Sequence, residues 1–423
     1  MPTEKAHGYQ ISQMCQAFDE AGAQTLLLYP YFNNPIKDVS LEEYYDLRNT
    51  LNTVEIPSVH LDPITDYIPF QSLRRFAASI AFHVHRHIFT YNLIRKLIKI
   101  INLKENYIIY VRDGDLARSL ISRLPRPYSS RVVVEVHSLP GMEVRKHLLA
   151  ESLKSALTIV ALTQKTKDCL MNYGLNESLI KVEPDGVNFE KFDVKLSREE
   201  ARKELKIPTN RTIISFVGRF HTMNNEKGIP EIISSSKYLF EKYKNLYLYF
   251  VGGPVKVCKT ECDHVASYRS LIRKLELPEK RFIFLEKQPV KQVPLWLKSA
   301  DVLLMPHPKT EFYSIYVSPL KMFEYMTSKS PIVASRLPAI EEILTHNENA
   351  LLAEPGNAEE IACKIQIALD KKEKSKKIAS AAYLDVQQYE WKKRALRILN
   401  FSKEKMKFKL QAELKDKSIM GCL

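Results

Sequence analysis

The sequence predicts an α/β protein made of two doubly wound halves, and three observations predict it. Short β-branched or aromatic runs alternate with longer stretches of helical periodicity, the pattern of βαβ units and parallel sheets. The chain has 423 residues, 45% of them apolar, which suffices for two cores of ordinary size. A turn signal, Pro184-Asp185-Gly186, closes the first set of runs ahead of a charged stretch from Lys191 to Lys206, so a hinge belongs there.

In order along the first half, the expected strands are Thr25 to Tyr29, Tyr107 to Val111, Val132 to Val136, Leu157 to Leu162 and Ile180 to Glu183. In the second half they are Thr212 to Val217, Leu246 to Val251, Phe282 to Leu285, Val302 to Met305 and Ile332 to Ala334. Phe76 to Asn102 reads as a long helix carrying apolar residues with His83, His85, His87, Arg95, Lys96 and Lys99. Amphipathicity is the ordinary state of a helix covering a sheet; a helix lying on an anionic membrane is the alternative. His83 and His87 share a face but do not complete a metal shell. No repeat of solenoid length is visible, and the lysine-dominated segments Lys371 to Lys377 and Lys403 to Lys417 are short.

The formal charge of +14 suits anionic lipid, nucleic acid or a phosphorylated substrate and does not choose among them. No apolar run reaches the roughly 18 to 20 residues of a membrane span. The start, MPTEKAHGYQ, lacks the basic and apolar regions of a signal peptide. The expected place is the cytoplasm, with peripheral attachment to the inner membrane face as the alternative. Six irregularly spaced cysteines read as reduced thiols, and Cys258, Cys262 and His264 lack the fourth ligand of a zinc site.

Open α/β sheets bind ligands beyond the carboxyl ends of their strands. After Val217 come Gly218, Arg219 and, past a polar loop, Lys227 and Gly228; a guanidinium and an ammonium there suit a diphosphate, although loop cations are usually just solvated. In MPHPKTEFYSIYVSPLKMFEYM, Ser318 reads as an N-cap and Pro319 as the first helical residue, which makes an anion site of the helix start. Lys321 adds a charge in the first turn, and Glu324 suits a pair of vicinal hydroxyls such as those of a ribose, unless it simply faces outward. His137, at the exit of a central strand, reads equally as a donor to a sugar hydroxyl or leaving phosphate and as a buried histidine bonded to backbone.

VGRF with a downstream Lys-Gly, VGGP, SADVLLMP, SPLKMFEYM followed by SPIVASRLPAIEEIL, and VEPDGVNFEKF together resemble glycosyltransferase family 4, and the likeness runs from PTEKAHGYQISQMCQAFDEAGAQTLLLYP to about Asn400. The resemblance implies a GT-B fold: Rossmann-like domains at 1–187 and 188–375 facing a central cleft, then a 376–423 segment whose helix, around Tyr389 to Leu399, crosses back to the first domain. It implies a retaining transferase that works without a metal or other cofactor on a nucleoside diphosphate sugar, with a glycan or lipid-linked acceptor. By position, Arg219 and Lys227 match the diphosphate-binding pair, and Gly218 precedes them. Ser318, Pro319, Leu320 and Lys321 match the phosphate-receiving helix start, and Glu324 the ribose-binding carboxylate. His137 matches the histidine near the donor sugar, and Gly8 the glycine that approaches phosphates and acceptor. With only 12 glycines, charge and a helix start must do most of the anion binding.

Two departures from the family pattern stand out. Family members often carry a glutamate eight residues before Glu324, where this chain has Tyr316. Relatives also have a strand before the segment that follows Met1, so we expect the start to be internal to a longer product or the form to be truncated. Rival readings are a catalytically silent GT-B-like scaffold that binds a sugar nucleotide, and a nucleic-acid binder suggested by charge alone, which lacks a recognition module.

Overall fold

The computed structural model describes residues 1–3, 5–31, 36, 39–59, 71–222, 225–253 and 264–420. It divides into two compact units, the first formed by 1–162, 166–183 and 391–423 and the second by 163–165 and 184–390.

In the first unit, β3 (Ile109–Val111), β4 (Val132–Val136), β5 (Thr158–Ala161) and β6 (Ile180–Val182) form a parallel sheet in that order. All five residues of β4 are buried, which is why its sequence is a continuous apolar run around one glutamate instead of an alternation. The run expected from Thr25 does not join this sheet: as β1 (Leu27–Pro30) it pairs in parallel with β2 (Thr53–Ile56), a strand the sequence pattern leaves unassigned. The long helix starts earlier than expected and spans Gln71–Ile100. It buries Ala81, Phe89, Thr90, Leu93 and Leu97, whereas Leu73, Phe76, Ile80 and Phe82 stay exposed. His83 Nδ1 meets the carbonyl of Ser79 at 2.7 Å, and no group of three metal-ligating side chains occurs among the described residues.

The terminal helix, Trp391–Met420, packs on the helix Ala6–Glu20. Its Arg394 is fully buried, and Nη2 donates to Glu135 Oε2 at 2.8 Å and to the Glu183 carbonyl at 3.1 Å. Arg397 Nε adds bonds of 3.0 and 2.8 Å to the Glu183 carboxylate.

The second unit holds one six-stranded parallel sheet, in the order β11 (Phe282–Leu285), β10 (Leu246–Val251), β7 (Thr212–Val217), β12 (Val302–Met305), β13 (Ile332–Ser335), β14 (Leu351–Ala353). Alternate residues face opposite sides, as the period of two in a strand requires. Ile213, Val217, Tyr249, Val251, Leu303 and Met305 belong to one apolar cluster; Ile214, Phe216, Leu248, Phe250, Val302 and Leu304 belong to another. Asp301, just before β12, accepts from Arg202 Nη2 at 2.8 Å, Arg198 Nη1 at 2.8 Å and the Ile213 amide at 2.7 Å, which pins the helix Arg198–Glu204 to the sheet. This unit runs on to Glu390, beyond the expected 375, because Ile378, Ala382 and Val386 lie in its core.

Candidate functional site

β7 delivers the backbone to Gly218, whose φ of 136° suits a residue without a side chain. A Cβ there would stand 3.2 Å from Lys321 Cε and 3.3 Å from its Nζ, so Gly218 is where the strand exit meets the lysine amine. Arg219 follows, and then an antiparallel hairpin, β8 (His221–Thr222) and β9 (Asn225–Glu226), returns the chain to Lys227.

Lys227 is held from both directions. Its amide donates to the Phe220 carbonyl at 2.9 Å, and the Glu226 carboxylate receives the amides of Gly228 at 2.8 Å and Ile229 at 2.9 Å. Tyr268 adds its hydroxyl to Glu226 at 3.1 Å. Gly228 itself is left-handed, with φ of 83°, and a Cβ would run into the Pro306 carbonyl oxygen. Burial, then the neighbouring Arg219 charge, pushes the Lys227 ammonium down to about 8, with Glu226 opposing. Lys227, one of the two cations expected to act together, thus feels the charge of the other, Arg219.

The helix Leu320–Thr327 begins one residue later than expected, with Pro319 at the cap position and no side-chain cap. The Ser318 hydroxyl instead accepts the Asp185 amide at 2.8 Å. A residue before proline is driven to extended backbone, and here its hydroxyl serves another buried segment. The expected Ser318 cap is thus corrected, while Leu320 and Lys321 do form the first turn. Lys321 is buried, its Nζ has no hydrogen-bond partner among the described residues, and it lies 3.7 Å over the Phe216 ring. Burial, joined by the Lys227 charge, pulls its pKa well below the usual lysine value. Glu324 is half-buried and not fully turned to solvent, and desolvation raises its carboxyl to about 7 against the pull of Lys321.

Sequence reasoning missed two neighbours. His307, two residues after β12, is 1% exposed, with neither ring nitrogen bonded among the described residues, and it stacks on Tyr313 at 4.5 Å and 13°. Burial, Lys321 and Lys227 hold it far below its usual pKa. The signal available was its place in MPHP, immediately past a strand's carboxyl end. Glu226, which fixes the turn around Lys227, carried no signal beyond standing one residue before it. Tyr316 is buried, and its hydroxyl lies 3.5 Å from Glu311 Oε1.

His137 and Gly8 lie in the first unit. His137 Nε2 bonds Glu135 Oε1, and Nδ1 stands 3.0 Å from Arg112 Nη2. Guanidinium has no acceptor, so Nδ1 accepts and Nε2 carries the proton that goes to Glu135. Both nitrogens are committed to side chains, not to backbone. Gly8 is buried beneath Tyr45, whose hydroxyl a Cβ would overlap. That hydroxyl donates to the Thr3 carbonyl at 2.9 Å and accepts the Thr3 amide at 2.8 Å, which gives the missing side chain a packing reason. Cys258 and Cys262 lie outside the described residues, and no described helix is long and apolar enough to cross a membrane.

Residues 197–385 match the family model described as Glycosyl transferases group 1. The chain is similar to the D-inositol 3-phosphate glycosyltransferase of Corynebacterium glutamicum (strain R), 23% identical over 331 residues that cover 75% of this chain and 73% of that protein. The match to the protein of the same name from Corynebacterium aurimucosum covers 64% of this chain and 62% of that protein, at 23% identity. For the 2-deoxystreptamine glucosyltransferase of Streptomyces kanamyceticus, identity is 26%, covering 52% of this chain and 53% of that protein. Among solved structures, Anabaena HepE in complex with UDP aligns with a TM-score of 0.67 at 17% identity, covering 94% of this chain and 96% of that one. Sucrose-phosphate synthase from Thermosynechococcus elongatus aligns at 0.71 and 18%, covering 95% and 93%. Likeness of this kind is likeness of fold, and the fold is GT-B.

Proposed function

We propose that the chain is a metal-independent, retaining glycosyltransferase that moves a sugar from a nucleoside diphosphate to a hydroxyl of a glycan or lipid-linked acceptor. One observation carries the reading. Arg219, Lys227 and Lys321 gather at the exit of β7 beside a helix start, and among the described residues no carboxylate pairs with any of them. Buried positive charge without a partner is costly, and an anion that restores the balance binds strongly. The match of 197–385 to Glycosyl transferases group 1, and the UDP and UDP-glucose complexes of HepE, support a nucleoside diphosphate as that anion.

In this reading Arg219 grips the diphosphate as a planar fork and Lys227 as a point charge, while the amides opening the Leu320–Thr327 helix face the phosphates. Glu324 receives the ribose hydroxyls. Charge grows on the distal phosphate as the glycosidic bond breaks, and fixed cations are worth most there because they need not reorganise. The departing phosphate oxygen takes the acceptor's proton on the face it leaves, which preserves the anomeric configuration without a separate base. Acceptor recognition is assigned to the first unit.

The test is thermal-shift screening against UDP, GDP and ADP, since a ligand bound only by the native state raises the melting temperature. It is followed by release of free nucleoside diphosphate with candidate acceptors. One base should stabilise the protein, and Lys227→Ala should remove both responses. A silent scaffold is the second reading, favoured by buried Tyr316 in place of a glutamate; it keeps the stabilisation and shows no release with any acceptor.

A further inference from the structure

We infer that the first unit holds an oxyanion subsite built from Arg112 and His7, with His137 orienting the Arg112 guanidinium, and that its ligand is a phosphate or carboxylate carried by the acceptor. Assignment to the acceptor rests on the transferase reading; the subsite rests on first-unit residues alone.

The place is right for a ligand. Arg112 follows β3 and His137 follows β4, neighbouring parallel strands in which Val111 lies opposite Val134. Both residues therefore sit just past the carboxyl edge of the sheet. The helix Ala6–Glu20 opens beside them, with no side-chain cap and no acidic residue in its first turn, where His7 stands. The Arg112 charge presses on His7 electrostatically.

The chemistry calls for an anion. Arg112 spends one of its N–H bonds on His137 Nδ1, at 3.0 Å, and its Nε is buried without a partner among the described residues. The imidazole fixes the plane of the guanidinium but brings no negative charge. Glu135 cannot neutralise Arg112, because its Oε1 already accepts from Gln10 Nε2 at 2.6 Å and from His137, and its Oε2 from Tyr110 and from Arg394 at 2.8 Å. A carboxylate offers about four acceptor positions, and all are taken. Asp113 caps its own helix through the Leu116 amide at 2.7 Å, and Asp115 pairs with Arg86 at 2.5 Å and Arg145 at 3.6 Å. Arg112 is thus a cation with an oriented, unmatched fork, the form that suits bidentate oxyanion binding. His7 completes the set as a neutral hydrogen-bonding ring, since burial, then the Arg112 and Lys5 charges, push it down to about 4. Its ring has no hydrogen-bond partner among the described residues.

The experiment uses the full chain with UDP saturating the second unit, and exchanges chloride for inorganic phosphate at constant ionic strength. Phosphate should raise the melting midpoint of the wild type. Arg112→Gln should bind it about tenfold more weakly, Arg112→Lys should fall between, and UDP affinity should stay within about twofold throughout. His7→Asn, which should also weaken phosphate, carries the test should the Arg112→Gln chain fail to fold. A phosphate response indifferent to Arg112 and His7 overturns the subsite. Failure of UDP to bind overturns the donor reading instead, and an Arg112-dependent phosphate response still upholds the subsite. Vesicles of phosphatidylcholine containing phosphatidylinositol separate the sources: Arg112-dependent retention marks a lipid headgroup, whereas a phosphate response without retention marks a soluble ester. UDP-glucuronate binding more tightly than UDP-glucose only when Arg112 is present would move the oxyanion to the donor and overturn the acceptor assignment.

Discussion

At Gly228 two requirements meet, a left-handed backbone and a carbonyl from Pro306 in the space a Cβ would fill. Alanine adds the steric cost of positive φ to an overlap with backbone that cannot swing aside, so Gly228→Ala should cost about 2–4 kcal/mol, read as a shift in the urea midpoint at unchanged slope. Glu324 makes a different kind of statement. Burial raises its carboxyl to about 7. Between the ordinary carboxyl range and that value, the native state keeps a proton that the unfolded chain has released, so stability falls as pH climbs through the window. Glu324→Gln removes this slope. Its stability relative to wild type should rise between about pH 5 and about pH 8, and denaturation curves showing a constant difference would put the carboxyl back in solvent.

Elements with many buried β-branched or aromatic residues were legible in the sequence: β4, β7, β10, β11 and β12 begin and end where the apolar runs do. β2 and β14 were not. Thr53 and Glu55 are exposed, leaving two inward residues to signal a strand, and β14 is three residues of Leu and Ala that could equally be helix. The hairpin around Thr222 and Asn225 is defined by where it must return Lys227, which no local pattern records. For the site, residue types at strand exits were readable, but the burial of Lys321 and His307 was not, because it depends on Phe216, Gly218 and Tyr313 arriving from other elements. The Ser318 correction shows the same limit: Ser-Pro reads as a cap, yet the hydroxyl is taken by Asp185, far away in sequence. Ser318→Ala should therefore leave helix content unchanged while removing the hydroxyl that accepts the Asp185 amide. The expected loss is about 1–3 kcal/mol in chemical denaturation, with far-UV circular dichroism of the native state unaltered.

Across the molecule, the first unit cannot finish folding until the chain has passed through the second and come back, because residues 391–423 belong to it. Arg394 is the clearest tie in that closure: it is fully buried and bonded to Glu135 and to the Glu183 carbonyl, and Glu135 is itself fully buried. Against the upward push of burial, the Arg394 charge, with help from His137 and Tyr110, holds Glu135's pKa well below the carboxylate range, which leaves the pair charged in a place that water does not reach. Removing one partner strands the other charge. Arg394→Met should cost about 3–5 kcal/mol, whereas Arg394→Met combined with Glu135→Gln should recover part of that loss, since no ion is then left alone. The two single variants and the double variant, compared by denaturant unfolding, give the coupling directly. A double variant as unstable as the sum of the singles would mean that Arg394 acts by filling space beside Met14 and Trp391, and not by closing a charge pair.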